Sequence, residues 1–180
     1  MHKMRLKCLN LGSGKSYKKS NEKEEWVNID INLDWHPDIL HDLSKFPYPF
    51  KDNTFNLVFA DNILEHFDGL QLKKVLIEIG RILKEDGKLK AIVPHFSNAS
   101  AYQINHKMFF QSNFFHERNI SNVKVLSVRL MLTQNKFLSF LNYIANVNPF
   151  VWERFFCYYY PIQMIHFELK IIKDKDNKIR

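Results

Sequence analysis

Two of the chain's five glycines stand together in Leu11-Gly12-Ser13-Gly14, directly after an apolar run. A Gly-x-Gly turn at the end of a strand brings backbone N–H groups close to a nucleotide-like ligand, because a Cβ there would block the approach. The position at which a dinucleotide fingerprint needs its third glycine holds Tyr17, which disfavours a pyrophosphate ligand. Asp30 closes the next β-patterned run, where a carboxylate can accept both hydroxyls of a ribose or serve as a turn residue. His66, His95 and His106 add side chains that exchange a proton near neutral pH. Each reads as a proton acceptor or as a loop or cap residue, with His106 the first choice for chemistry and His66 the second. Glu65 precedes His66, but neighbours on one helical turn point apart. Cys8 and Cys157 have no CxxC partner, so they read as buried thiols, and no metal site is expected.

The elements that must position these residues follow from periodicity. LKCLNL (Leu6 to Leu11) and WVNIDI (Trp26 to Ile31) read as strands, Asp38 to Leu43 as a weaker one, and FNLVFA (Phe55 to Ala60) as a central buried one. Leu72, Val75, Leu76, Ile79, Ile82 and Leu83 recur at helical spacing, with Asp86-Gly87 expected to end the helix. LKAIV (Leu89 to Val93) follows as a strand closed by Pro94. Strand, helix, strand implies parallel neighbours. Val123 to Thr133 and Gln163 to Ile172 read as further strands, and Gly80 as a close-packing position within the helix.

The chain has 180 residues, 46% hydrophobic and 25% charged, enough for one domain with a core and too few for two. Its formal charge of +7 suggests an anionic partner, but Lys comes with abundant Phe, Asn, Ile and Tyr, all with A/T-rich codons, so compositional drift explains much of it. No targeting segment is expected, and the longest uncharged run, Phe137 to Trp152, is below membrane-spanning length. The expectation is a cytoplasmic protein. Aromatic residues are uneven, nine in residues 1–95 and 17 in 96–180, which fits a core layer or an apolar cleft.

The runs LNLGSG, VNIDI, HDLSKFPYPFKDNTFNLVFADNILEHF and IGRILKEDGKLKAIVPHFS together resemble the class I S-adenosylmethionine-dependent methyltransferases, in particular the small type 11 group. Pro49 to Val58 is similar to that group's LP-x-x-D-x-S/T-F-D-x-V segment, and Arg81 to Gly87 to its R-x-L-K-P-G-G. HKMFFQSNFF, from His106, also resembles a subgroup of small methyltransferases, some encoded among genes for surface polysaccharide synthesis. The resemblance implies a Rossmann-like three-layer α/β sandwich with a seven-stranded, mostly parallel sheet and an antiparallel last strand, while the short segments between the first three strands leave room only for shortened crossover helices. It implies that Leu11, Gly12, Ser13 and Gly14 wrap the methionine part of the cofactor, with Asn10 standing where an acidic residue is usual. Asp30 and Ile31 would meet the ribose, Asp42 and Leu43 the adenine, and Ala60 and Asp61 the sulfonium and the methionine amine. His66, His95 and His106 would face the substrate mouth.

The expected protein is thus one methyltransferase domain over residues 1–172 with a charged tail over 173–180. It would use S-adenosylmethionine to methylate oxygen or nitrogen of a small-molecule or saccharide-linked acceptor. Two alternatives stay open: a non-catalytic S-adenosylmethionine-binding subunit, and an RNA methyltransferase, since nucleic acid as partner is not excluded by the charge.

Overall fold

The computed structural model describes residues 5–116, 120 and 122–173. Strands β1 (Leu6–Leu11), β2 (Glu24–Asp30), β3 (Ile39–Leu40) and β4 (Phe55–Asp61) precede helix α1 (Gly69–Ile82) and strand β5 (Leu83–Pro94). Strand β6 (Val123–Met131), helices α2 (Ser139–Val147) and α3 (Pro149–Phe155) and strand β7 (Met164–Ile171) complete the chain. The sheet runs β3-β2-β1-β4-β5-β7-β6, parallel from β3 to β5, with β7 antiparallel to both its neighbours. This is the seven-stranded, mostly parallel Rossmann-like α/β sheet expected.

Helix α1 forms because Leu72, Val75, Leu76, Ile79 and Ile82 share one face, and all five are buried against the sheet. Burial of each contributes about 1.5–3 kcal/mol before entropy is counted. Asp68 caps it: Oδ1 accepts from the N–H groups of Leu70 and Gln71, while Gln71 Oε1 accepts from the Asp68 N–H. A Cβ on Gly80 would lie 2.8 Å from Ile171 Cγ2, so glycine permits α1 to approach β7 as the sequence suggested. The helix ends earlier than its apolar pattern, at Ile82. Leu83 is drawn into the sheet opposite Phe55, and the ladder resumes at Leu57 and Lys88, with residues 84–87 bulged out between. Gly87 therefore serves that bulge, where a Cβ would fall 2.9 Å from the Lys84 carbonyl oxygen.

The crossover helices are shortened further than the motif spacing implies. Residues 12–23 contain no helix, and a single 3-10 turn, Leu33–Trp35, separates β2 from β3. One sheet face carries Leu9, Leu11, Ile29, Val58, Ala60, Leu89, Ala91, Phe167 and Leu169, all in the core under α1. The register puts Trp26, Leu57, Phe59, Lys88, Lys90, Glu168, Lys170 and Lys124 on the other, half-buried or exposed.

Both cysteines are buried and free, as read from their spacing. The aromatic third divides: Phe110 and Phe115 enter the core, with Phe115 edge-on to Phe167, whereas Phe137, Tyr143, Tyr158 and Tyr159 are exposed. Of the charged tail, Lys173 donates to Asn53 Oδ1 and to the Leu83 carbonyl oxygen, and 174–180 lie outside the described residues. No helix among the described residues is long and apolar enough to cross a membrane.

Helix α2 closes the outer edge of the sheet with side-chain amides. Asn146 Oδ1 accepts from Leu130 N–H at 2.8 Å and its Nδ2 donates to the Leu130 carbonyl at 2.7 Å; Asn142, one turn away, does the same for Leu132 N–H and the Thr133 carbonyl. These asparagines occupy the bonds a further strand would make. Asn146→Ala is expected to lower stability in urea unfolding by about 1–3 kcal/mol, the cost of leaving that pair of backbone groups without partners.

Candidate active site

Strand order places the site. The chain leaves β1 towards β2 and β3 on one side and returns through β4 and β5 on the other, so the connections diverge between the carboxyl ends of β1 and β4. Open α/β sheets bind ligands in the crevice at such a switch point. Here it is walled by the turn after β1 and by Asp61, Asn62 and Ile63 after β4.

The glycine turn is shaped by what presses on it. Gly12 has φ +65° and Gly14 φ +44°, both in the left-handed region, and a Cβ on Gly12 would fall 2.6 Å from Ile63 Cδ1. Ser13 donates its N–H to the Ile29 carbonyl at 3.0 Å, and Gly14 donates its own to Asp30 Oδ2 at 2.8 Å. Asp30 Oδ1 accepts from Asn32 N–H at 2.8 Å, so each carboxylate oxygen uses one acceptor site on the backbone and keeps another for a ligand. Leu11 and Ala60 are fully buried beneath the crevice, and Ile31 is exposed beside Asp30.

Asn10 holds the turn from below. Nearly fully buried, it donates Nδ2 to the Ser16 carbonyl and to Asn28 Oδ1, both at 2.9 Å, and Asn28 in turn binds Asp38 Oδ2 through its N–H and Nδ2. Asp38 also accepts from the Tyr17 hydroxyl at 2.7 Å. Asn28 and Asp38 were not among the expected site residues, although the polar Asn28 within the apolar run VNIDI was the available signal. Asp42 closes a tight turn, its Oδ1 accepting from the N–H and hydroxyl of Ser44, and these bonds hold its carboxyl below the usual range. Leu43 is buried, its carbonyl oxygen accepting from the Tyr48 hydroxyl. Asp61 Oδ1 accepts from Asn62 Nδ2 at 2.8 Å.

The three histidines separate. His66, in the 3-10 turn Leu64–His66 after β4, meets His106 edge to face, 4.8 Å between ring centroids. Burial and the neighbouring His66 pull His106 below the ordinary histidine value. Glu65, from the same turn, is fully buried, and burial pushes its carboxyl up to about 7, with the Asp61 charge acting in the same direction. His95, by contrast, is committed to structure: it contacts Ser97 Oγ at 2.8 Å and Glu153 Oε1 at 3.1 Å, and Glu153 further accepts from the Ser112 N–H and hydroxyl. That network fastens α3 to the end of β5.

Gly12 to Gly14, β2 to β4, α1 and β5 as far as Ala91 fall within the segment 12–91 that matches the family described as a methyltransferase domain. Residues 12–91 are thus similar to a methyltransferase domain. An uncharacterized protein of Methanocaldococcus jannaschii is 34% identical over 102 residues, 56% of this chain. The chain spans 41% of that relative's length. Among solved structures, a SAM-dependent methyltransferase from Archaeoglobus fulgidus aligns with TM-score 0.64 over 94% of this chain and 87% of its own, at 14% identity. A phosphoethanolamine N-methyltransferase from Haemonchus contortus, solved with phosphomonomethylethanolamine and S-adenosylhomocysteine, aligns with TM-score 0.61 at 12% identity, over 96% of this chain and 50% of its own. At these identities the likeness to the solved methyltransferases is one of fold.

Gly12→Ala tests the turn. The added methyl meets Ile63 and sits at a backbone angle that costs an L residue roughly 1–2 kcal/mol. Urea unfolding is expected to show a loss of at least about 1 kcal/mol, and the double variant with Ile63→Ala to recover part of it.

Proposed function

We propose that the chain binds S-adenosylmethionine in the crevice between β1 and β4 and transfers its methyl group to oxygen or nitrogen of a small-molecule or saccharide-linked acceptor. The observation that carries the reading is Asp30. It joins the glycine turn through Gly14 N–H while keeping an acceptor site on each oxygen for a pair of ribose hydroxyls. The residues present fit this cofactor: a left-handed turn without side chains at Gly12 and Gly14, and a carboxylate at the end of the neighbouring strand.

In this reading Leu11 to Gly14, with Asn10 beneath, line the methionine part. Asp30 and Ile31 hold the ribose, Asp42 and Leu43 border the adenine, and Ala60 and Asp61 flank the sulfonium and the amine. When bound, the cofactor supplies a methyl group already activated as a sulfonium. The protein's share is therefore alignment, exclusion of water and care of the acceptor's proton. Asp61 favours the positive charges of the donor by simple attraction. His66, in the turn after β4, and His106, edge to face with it, would serve the acceptor side, where the acceptor's proton is lost.

A polyanionic acceptor is the second reading, favoured by the register that sets Lys88, Lys90, Lys124 and Lys170 on one sheet face. Absence of RNA binding at low salt, where phosphate contacts are strongest, removes it.

Calorimetry with S-adenosylhomocysteine tests the binding half of the proposal. Asp30→Ala is expected to weaken affinity by about 1.5–3 kcal/mol, as for a lost hydrogen bond to a charged group. Unchanged affinity in a folded variant removes Asp30 from the site. The transfer half rests on an acceptor screen scored by S-adenosylhomocysteine release: binding without turnover on any acceptor points to a non-catalytic subunit.

A further inference from the structure

The least satisfied group among the described residues lies in the turn after β4. The Glu65 side chain is fully buried, and neither Oε1 nor Oε2 has a hydrogen-bond partner among the described residues. A buried carboxylate is retained when something pairs with it, and a cation does so most directly. Two imidazoles enclose the same space. One ligand atom each from Glu65, His66 and His106 lie within 4.8 Å of one another.

The supporting contacts aim the rings. His66 Nδ1 lies 3.2 Å from the Asn105 carbonyl oxygen, which only accepts, so Nδ1 carries the proton and Nε2 keeps its lone pair. Metal-binding histidines are oriented in this way, by a carbonyl on the other nitrogen. His106 Nδ1 is buried with no hydrogen-bond partner among the described residues. The two loops are also tied together, because Lys107 and Met108 both donate their N–H groups to the Glu65 carbonyl oxygen, at 2.7 and 3.2 Å. The juxtaposition is thus built by backbone bonds across about forty residues of sequence.

We infer that Glu65, His66 and His106 form a binding site for one divalent transition-metal ion of the zinc type. Two imidazoles and a carboxylate suit zinc, cobalt or ferrous iron rather than magnesium or calcium, which prefer oxygen throughout. Three protein ligands leave a coordination position open, as in metal sites that take a substrate atom. The expectation of no metal site came from the lack of paired cysteines, and that criterion does not reach a set made of histidine and glutamate. Resting on the methyl-transfer reading, the ion would hold the acceptor's oxygen and ease release of its proton to solvent, sparing the histidines that task.

The test uses the untagged full chain, stripped with chelator and titrated with Co²⁺ as the probe, followed by visible absorption and calorimetry. One Co²⁺ per chain is expected, displaced by Zn²⁺, with affinity reduced at least about 100-fold in the His66→Ala/His106→Ala double variant, beyond what loss of a supporting contact causes. Glu65→Gln, which keeps the shape, is expected to weaken uptake as well. No uptake by the unsubstituted chain overturns the inference, as does equal uptake by the folded double variant. S-adenosylhomocysteine titrations on the same stripped samples report on the cofactor reading separately: loss of that binding with intact Co²⁺ uptake sinks the reading and leaves the metal site standing.

Discussion

No helix stands between β1 and β2, so the backbone leaving Gly14 has no regular structure to rest on, and side-chain hydrogen bonds must hold it. Asn10 and Asn28 form the buried part of that support, Asp38 its exposed end, and Asp30 the part that faces the crevice. Each buried amide or carboxylate here is bonded to its neighbour, which is what makes a polar centre tolerable within a sheet. Everything at the ligand end follows from this arrangement. Gly12 is pressed by Ile63, Gly14 is drawn to Asp30, and the two sides of the switch point are fixed relative to each other by the β1–β4 ladder.

The same absence governs the opposite face of the sheet. A face without helices must meet water, and the half-buried or exposed side chains that β4, β5 and β7 send there are consistent with that. Trp26 and Phe59 meet edge to face, and the Lys18 ammonium lies 4.2 Å from the Phe59 ring centre and 5.3 Å from that of Trp26. Lys88 pairs with Glu168, while Lys90 and Lys124 are exposed. Part of the +7 charge thus has a structural reason beyond genome composition: lysine solvates a surface that would otherwise be an unprotected sheet. The free edge is treated by a different device, the paired amides of Asn142 and Asn146.

Periodicity made the sheet and α1 legible because each strand keeps one face buried, as in Leu89, Ala91 and Val93 against Lys88 and Lys90. Boundaries were legible only where local chemistry sets them. The Asp68 cap is local and marks where α1 begins, whereas the end of α1 is set by pairing of Leu83 with Phe55, a contact 28 residues away that no helical pattern encodes. For the same reason the crevice residues Gly12, Gly14 and Asp30 could be found from the chain itself, but the clamp of Arg81 could not. Its guanidinium binds Glu78, Asp52 and the carbonyls of Tyr48 and Phe50, joining α1 to the loop before β4. Glu78 is buried and its Oε1 also accepts from Tyr48 N–H, so Arg81 is the charge that makes its burial tolerable.

Two pairs of histidine and glutamate in this protein show why residue type alone does not separate structure from chemistry. At His95 and Glu153 every near partner is accounted for: both ring nitrogens are in contact with acceptors or hydroxyls, and the carboxylate takes the N–H and the hydroxyl of Ser112. Such a closed network locks α3 in place and leaves nothing to offer a ligand. At Glu65, His66 and His106 the ledger is open, with a fully buried carboxylate and a buried ring nitrogen lacking partners among the described residues. Both clusters lie near the carboxyl ends of the strands, and both look alike as a list of residues. What distinguishes them is hydrogen-bond satisfaction, since a buried polar atom without a partner costs stability in the empty protein and that cost is recovered only when something binds. Asp61, at the end of β4 four residues before Glu65, already acts on that carboxyl through its charge, so a cation held by Glu65 would also be favoured by the field of Asp61.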